Sequence, residues 1–303
     1  MTSGSFLPVV SALVLSPLLL GIINKTKAFY AGRKGPPLFQ TYHDLRKLLG
    51  KGAVYSVTTT WVFRAGPIVG LASVLLAAFL IPMGSRPALL SFKGDLVLFA
   101  YLLGLMRFFT VLAALDTGSS FEGMGASREV HFSALAEPAL FLGLASLAGE
   151  NGSFSLTGVL AGSGLRTWSE AGPMAALVVL AFFIVFLAEN ARIPVDDPNT
   201  HLELTMIHEV MALDHGGPDF AFILYGAALK MWVLGTLLVE LAVPIRTGNP
   251  WVDSLCFLLG MALLGVVVGT VESSMARLRL LRVPQLLVAA CALAALSFIV
   301  GLI

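Results

Sequence analysis

Six ionisable side chains lie within or at the ends of apolar runs in this 303-residue chain: Arg107, Glu137, Glu189, Lys230, Glu240 and Glu272. A charge in hydrocarbon is expensive, so such residues are either paired or handle ions and protons. Arg107, Glu137 and Lys230 have the longest reach to water and read as functional. Glu240 and Glu272 lie near run ends, where pairing or snorkelling accounts for them. Glu189 also sits at a run end, beside a long loop. Further carboxylates (Asp116, Glu122, Glu129, Asp196, Asp197, Glu203, Glu209, Asp214 and Asp219) gather in or near two loops on one side. Folded together, they would raise one another's pKa values. Coupled protonatable groups leading inward from a membrane face are what a proton path requires. Asp196 and Asp197 read instead as solvating their loop.

His201, His208 and His215 recur at seven-residue spacing, which places them on one face if the segment is helical. Seven residues span about 10.5 Å of helix axis, too far for two imidazoles to share an ion comfortably. Capping, carboxylate pairing or proton buffering fits them better than a metal. His131 is the one histidine at the start of an apolar run, so a haem held by facing histidines within the bilayer is not expected. Cys256 and Cys291 are the only cysteines, short of the roughly four ligands an iron–sulfur cluster or a structural zinc needs. No disulfide framework is expected. The Gly32–Arg33–Lys34–Gly35 run lacks the spacing and the strand–helix context of a phosphate loop.

The elements that position these groups follow from composition. The chain is 57% hydrophobic and 12% charged, with net charge +1 and mean hydropathy +0.89. Soluble domains carry about 25% charged residues. These figures exclude an ordinary soluble enzyme, a disordered chain and an electrostatic nucleic-acid binder, and leave an integral membrane protein. Eight runs near 6–23, 62–82, 95–115, 131–149, 173–190, 219–243, 252–272 and 283–303 approach the roughly 20 residues a spanning helix needs. The N-terminal MTSGSFLPVV lacks the basic flank of a secretory signal, so the first run is expected to stay. With the loop after it in the cytoplasm, inner loops hold thirteen Lys and Arg and outer loops four. By the positive-inside rule both termini lie outside.

The sequence therefore predicts a single all-α membrane domain over 1–303, with cytoplasmic loops at about 24–61, 116–130, 191–218 and 273–282. Residues 37–51 put Tyr42, Leu45, Leu48 and Leu49 on one helical face and Arg46, Lys47 and Lys51 elsewhere, a basic amphipathic helix lying on the membrane. After Pro194 and Pro198, Thr200 and Glu203 have capping-box spacing. They predict a helix of about 14 residues ending at Gly216–Gly217, too short to span a bilayer.

Three stretches are specific: GRKGPPLFQTYHDLRKLL, GMGASREVHFSALAEPAL, and AEN followed by ARIPVDDPNTHLELTMIHEVMALDHGGPD. Together they resemble the subunit-1 family of respiratory complex I, in its branch of energy-converting group 4 nickel–iron hydrogenases of the formate hydrogenlyase and hydrogenase-4 type. The resemblance covers nearly the whole chain. It implies a non-redox subunit of the prokaryotic cytoplasmic membrane that anchors a peripheral redox arm and helps couple electron transfer to proton or sodium movement. Implied partners are hydrogenase large and small subunits, a ferredoxin-like iron–sulfur subunit, antiporter-like membrane subunits and membrane lipid, with no nucleic acid. Iron–sulfur clusters and the nickel–iron centre are expected in those partners and no cofactor on this chain.

Carried over to matching positions, the resemblance marks Arg128, Glu129, Glu137, Glu189, Arg192, Glu203 and Glu209; with the intramembrane charges Arg107 and Lys230, the five glutamates are the coupling candidates. Arg128, Arg192, Asp196, Asp197, His201 and His208 become loop-organising or docking candidates. The stretch ENARIPVDDPNTHLEL departs from the ETNRAPFDLPEGESELV-like form of the quinone-reducing branch, which argues against quinone binding. A quinone-site subunit of an NADH- or ferredoxin-driven complex is the alternative reading. A stand-alone secondary transporter using Lys230 and Glu240 is the second alternative.

Overall fold

The computed structural model describes residues 6–197, 206–243 and 245–302. In chain order the helices are α1 (Leu7–Tyr30), α2 (Gln40–Leu49), α3 (Trp61–Phe79), α4 (Asp95–Asp116), α5 (Ser120–Asn151), α6 (Leu156–Gly162), α7 (Leu165–Glu170), α8 (Gly172–Glu189), α9 (Gly217–Ala242), α10 (Pro250–Ser274) and α11 (Val283–Val300). Eight helices among the described residues are long and apolar enough to cross a membrane, each on one of the expected runs. The protein is an all-α, multi-pass membrane protein.

Helix α9 is the most buried of the eight and forms the centre, packing against α1, α3, α8 and α10. Helices α3 and α4 pair on one flank, while α11 lies against α5 and α8 on another. With lipid as solvent, helix association relies on close packing and small residues at contacts. A Cβ on Gly260 of α10 would lie 2.7 Å from Val239 of α9, and one on Gly269 would lie 2.6 Å from Thr26 of α1.

The basic amphipathic segment is helical as α2, with Tyr42, Leu45 and Leu48 half-buried and Arg46 and Lys47 exposed. The Tyr42 hydroxyl donates to the Val14 carbonyl, joining α2 to α1. Leu49 is largely exposed.

Two local expectations need correcting. Helix α5 starts at Ser120 rather than near residue 131, so most of the expected 116–130 loop is helical. Gly123 and Gly125 weaken that helix intrinsically, which is why the segment reads as a loop. Gly125 is there for packing, since a Cβ would lie 2.3 Å from Val210 and 2.9 Å from the Ile207 carbonyl. Pro138 lies within the same helix.

The helix predicted from Thr200 to Gly216 is the second case. Thr200, His201 and Glu203 lie outside the described residues. The described part holds only a 3-10 turn, Glu209–Ala212, and no α-helix. The Ile207 and His208 N–H groups donate to the Asp196 carboxylate at 3.2 and 3.3 Å. Side-chain acceptors compete with helical hydrogen bonds in this way, and an α-helix through those residues loses two of its bonds.

Candidate ion-coupling site

Between α4, α5 and α8 the Arg107 guanidinium of α4 touches three carboxylates from two other helices. Its Nε lies 3.2 Å from Glu129 of α5, Nη1 bonds Glu137 of α5, and Nη2 bonds Glu189 at the end of α8. Lys230 of α9 approaches the second Glu189 oxygen at 3.4 Å. The Nε2 of His208 stands 3.1 Å from Glu129. With His208 protonated, three cationic groups balance three carboxylates; with it neutral, the set carries one net negative charge. An unbalanced charge here is costly. The Glu129 and Glu189 side chains are under a tenth exposed, whereas that of Glu137 is 46% exposed. Glu137 is the lateral opening of the cluster.

His208 also joins the cluster to the loop after α8. Its Nδ1 lies 3.6 Å from Asp196, whose other oxygen takes an ion pair from Arg277 at 2.8 Å. Burial alone would lower the His208 pKa, but the nearby Glu129 and Asp196 carboxylates outweigh it and raise the value. Burial alone would raise the Asp196 pKa, but His208 and Arg277 hold it below its usual value. The expected mutual raising of carboxylate pKa values therefore fails at Asp196, because bases are interleaved with the acids. Asp196 does not solvate its loop either. It is 3% exposed and organises the backbone at Asp197, Ile207 and His208.

Beside this set, Arg192 and Lys27 bracket the buried Glu272 at 3.3 and 2.7 Å, tying the loop to the ends of α1 and α10. Arg128 donates to the Met206 carbonyl at 2.7 Å. Glu209 begins the 3-10 turn and is half-buried, as is Asp197. His215 stacks on Phe63 with centroids 3.9 Å apart rather than sharing a helical face with His208. Its pKa is lowered, burial outweighing Asp219 and Asp214. Glu240 meets the Gly84 N–H and Arg246, and Glu272 is paired, so both follow the run-end pairing expected of them.

The structure thus brings together Arg107, Glu129, Glu137, Glu189, Lys230 and His208, with Asp196 behind them. Sequence reasoning missed Arg277 and Lys27 as partners. Each is one basic residue in a loop rich in them, and nothing in its spacing singles it out. Among the described residues no three His, Cys, Asp or Glu side chains are placed to hold one metal ion.

The profile of the NADH dehydrogenase family matches residues 4–302. The chain belongs to that family. It is 33% identical over 303 residues to formate hydrogenlyase subunit 4 of Escherichia coli (strain K12), covering 96% of this chain and 97% of the relative. Hydrogenase-4 component C of the same organism is 32% identical, with 95% and 91% covered. An NADH-quinone oxidoreductase subunit of Acidovorax sp. (strain JS42) is 27% identical, with 78% and 68% covered. The fold matches a chain of the membrane-bound sulfane sulfur reductase, an archaeal respiratory membrane complex, with TM-score 0.83 and 21% identity over 98% of both chains. The resemblance to the complex I subunit-1 family and its hydrogenase branch is therefore correct. By their names these relatives are parts of larger assemblies.

Proposed function

We propose that this chain is a non-redox membrane-arm subunit of an energy-converting nickel–iron hydrogenase of the formate hydrogenlyase or hydrogenase-4 type. It seats the peripheral redox arm on the loop after α8 and passes energy from electron transfer into proton or sodium movement. One observation carries the reading: a single arginine holds acids from two helices in the apolar core while His208 links them to the loop. Displacing that loop alters the pairing of Glu129, and with it the charge balance of Glu137 and Glu189. Their partners are side chains, so they can exchange partners or accept a proton without unravelling a helix.

Under this reading Arg107 and Lys230 keep the core carboxylates ionised. Glu209, in the loop after α8, and Glu203, outside the described residues, are further coupling candidates. Arg128, Arg192, Asp196, Asp197, His201 and His208 shape the docking loop. Glu137, opening sideways, faces an antiporter-like membrane subunit. Hydrogenase large and small subunits and a ferredoxin-like subunit carry the nickel–iron centre and the iron–sulfur clusters. The complex lies in a prokaryotic cytoplasmic membrane, with both termini of this chain outside.

The test is Glu137→Gln in the native complex in sealed membrane vesicles. The expected result is an assembled complex that moves far fewer ions per hydrogen turned over. Normal assembly with normal ion movement would remove the coupling role. Co-purification with quinone-reductase subunits in place of a nickel–iron large subunit would favour the quinone-site reading.

A further inference from the structure

A second buried feature lies near the cluster. Helices α3, α4 and α9 leave a pocket lined by Gly66, Pro67, Gly70, Met106, Thr110 and His215, with about 20 Å³ open to water centres. A water needs roughly 10–15 Å³ by that measure and two to four polar partners, while cavities that stay dry are wholly apolar. Two lining residues, His215 and Thr110, carry polar side-chain groups. The Nδ1 of His215 is buried and has no hydrogen-bond partner, and His215 itself is 9% exposed. The Thr110 hydroxyl spends its proton on the Met106 carbonyl, which leaves its oxygen free to accept. A buried polar atom without a partner is destabilising, and water removes that cost.

The pocket is aligned with the cluster. On α9 the lining residue Phe222 is followed at four-residue steps by Gly226 and Lys230, which share one face. On α4 Thr110 is preceded one turn earlier by Met106 and Arg107. The Met106 methyl lies 3.6 Å from where a Cβ on Gly226 would stand, and its Cγ lies 3.6 Å from a Cβ on Gly70. A flexible thioether thus stands between two glycines, next to Arg107 in sequence and one turn from Lys230 across Gly226.

We propose that this pocket is an internal hydration site, with water held on His215 Nδ1, and that Met106 is the movable partition between that water and the Arg107 cluster. The site gives the cluster a water-borne proton supply from the His215 end. This role in supply rests on the coupling function proposed above; the hydration itself does not.

Both parts are tested in the assembled membrane complex with Cys256 and Cys291 replaced by Ala. A thiol reacts as its thiolate, which forms only where water reaches it. Thr110→Cys is expected to react with a small cationic methanethiosulfonate about tenfold faster than Leu76→Cys, on the exposed side of α3, as read by mass spectrometry of this chain. Adding Gly70→Ala places a methyl in the pocket at ordinary contact distance from Met106 and is expected to slow that reaction. Water density on His215 Nδ1 in a high-resolution map of the wild-type complex supports the site without any variant. A Thr110→Cys no faster than Leu76→Cys, or an empty pocket in that map, overturns the hydration site.

For the supply role, Gly70→Ala is expected to lower ions moved per hydrogen turned over several-fold. Slowed labelling with normal ion movement overturns that role, provided Glu137→Gln still impairs it. If Glu137→Gln also moves ions normally, the coupling function is what has failed.

Discussion

The two ends of the bundle both hold buried acids, yet they use them differently. At the end opposite the loop after α8, Asp95 accepts the Leu156 N–H at 2.6 Å and the Phe92 N–H at 3.1 Å. There Asp253 accepts the Thr247 N–H at 2.7 Å, and Glu240 takes the Gly84 N–H. These carboxylates hold backbone, and neutralising one loosens a loop. Around Arg107, by contrast, Glu129, Glu137 and Glu189 bond side-chain cations. A carboxylate paired to a movable cation can change partner while the helices stay in place. Buried acids alone therefore do not mark a coupling site; the three around Arg107 face side-chain cations, whereas those at the other end face chiefly backbone N–H groups, Glu240 meeting Arg246 as well.

Breaking the charge-paired end should have the largest effect. Arg107→Leu removes the shared partner of three carboxylates, leaving Glu129 to His208 and Glu189 to Lys230, and is expected to cost about 3–5 kcal/mol, read as loss of this subunit from the purified complex or a large drop in its melting temperature. Arg107→Lys keeps the charge without the fork and should fall between. Next comes Glu189→Gln, expected to keep the complex assembled and cut ion movement in vesicles several-fold. If it instead prevented assembly while hydrogen-linked coupling persisted in the residual complex, Glu189 would belong with the backbone-holding acids.

Asp253→Asn sharpens the comparison from the other side. It weakens hydrogen bonds to the Thr247 loop worth about 1 kcal/mol, so melting should fall slightly while ions moved per turnover stay at the wild-type value. The smallest effect is a pH slope. The His208 pKa is raised in the folded protein. Its stabilisation is therefore complete below the ordinary value of 6.5 and fades as pH rises through the raised one. Thermal melting of the complex should decline over that alkaline range, and His208→Gln should flatten the decline. An unchanged slope in the variant would assign it to other groups.

The eight spans were legible because hydrocarbon imposes its cost residue by residue, and an apolar run is a local property. For the same reason Arg107, Glu137 and Lys230 stood out. Their partners did not. Glu189 is 82 positions from Arg107 and Glu272 is 80 from Arg192, and no spacing rule links residues on different helices. Asp196 was misread because a carboxylate in a proline-flanked loop looks solvated until its backbone donors are seen. The start of α5 was obscured by Gly123 and Gly125, whose value lies in contact with the 3-10 turn. The resemblance of the loop motifs reached the family; it was silent on His215 and the pocket beside it.

Helix α5 has 32 residues, about 48 Å at 1.5 Å per residue, against a hydrocarbon thickness of about 30 Å. It therefore cannot lie wholly in lipid, and several turns project into the layer where a peripheral arm would rest. Glu122, Glu129 and Glu137 ride on this one rod, and Pro138 interrupts its hydrogen bonds immediately after Glu137. Under the proposed function, a sideways load on the projecting end would bend the rod at that weak point, as on an oar at its rowlock. Such a stroke would carry Glu129 further than Glu137, a mechanical leverage set by the order of residues along a single helix.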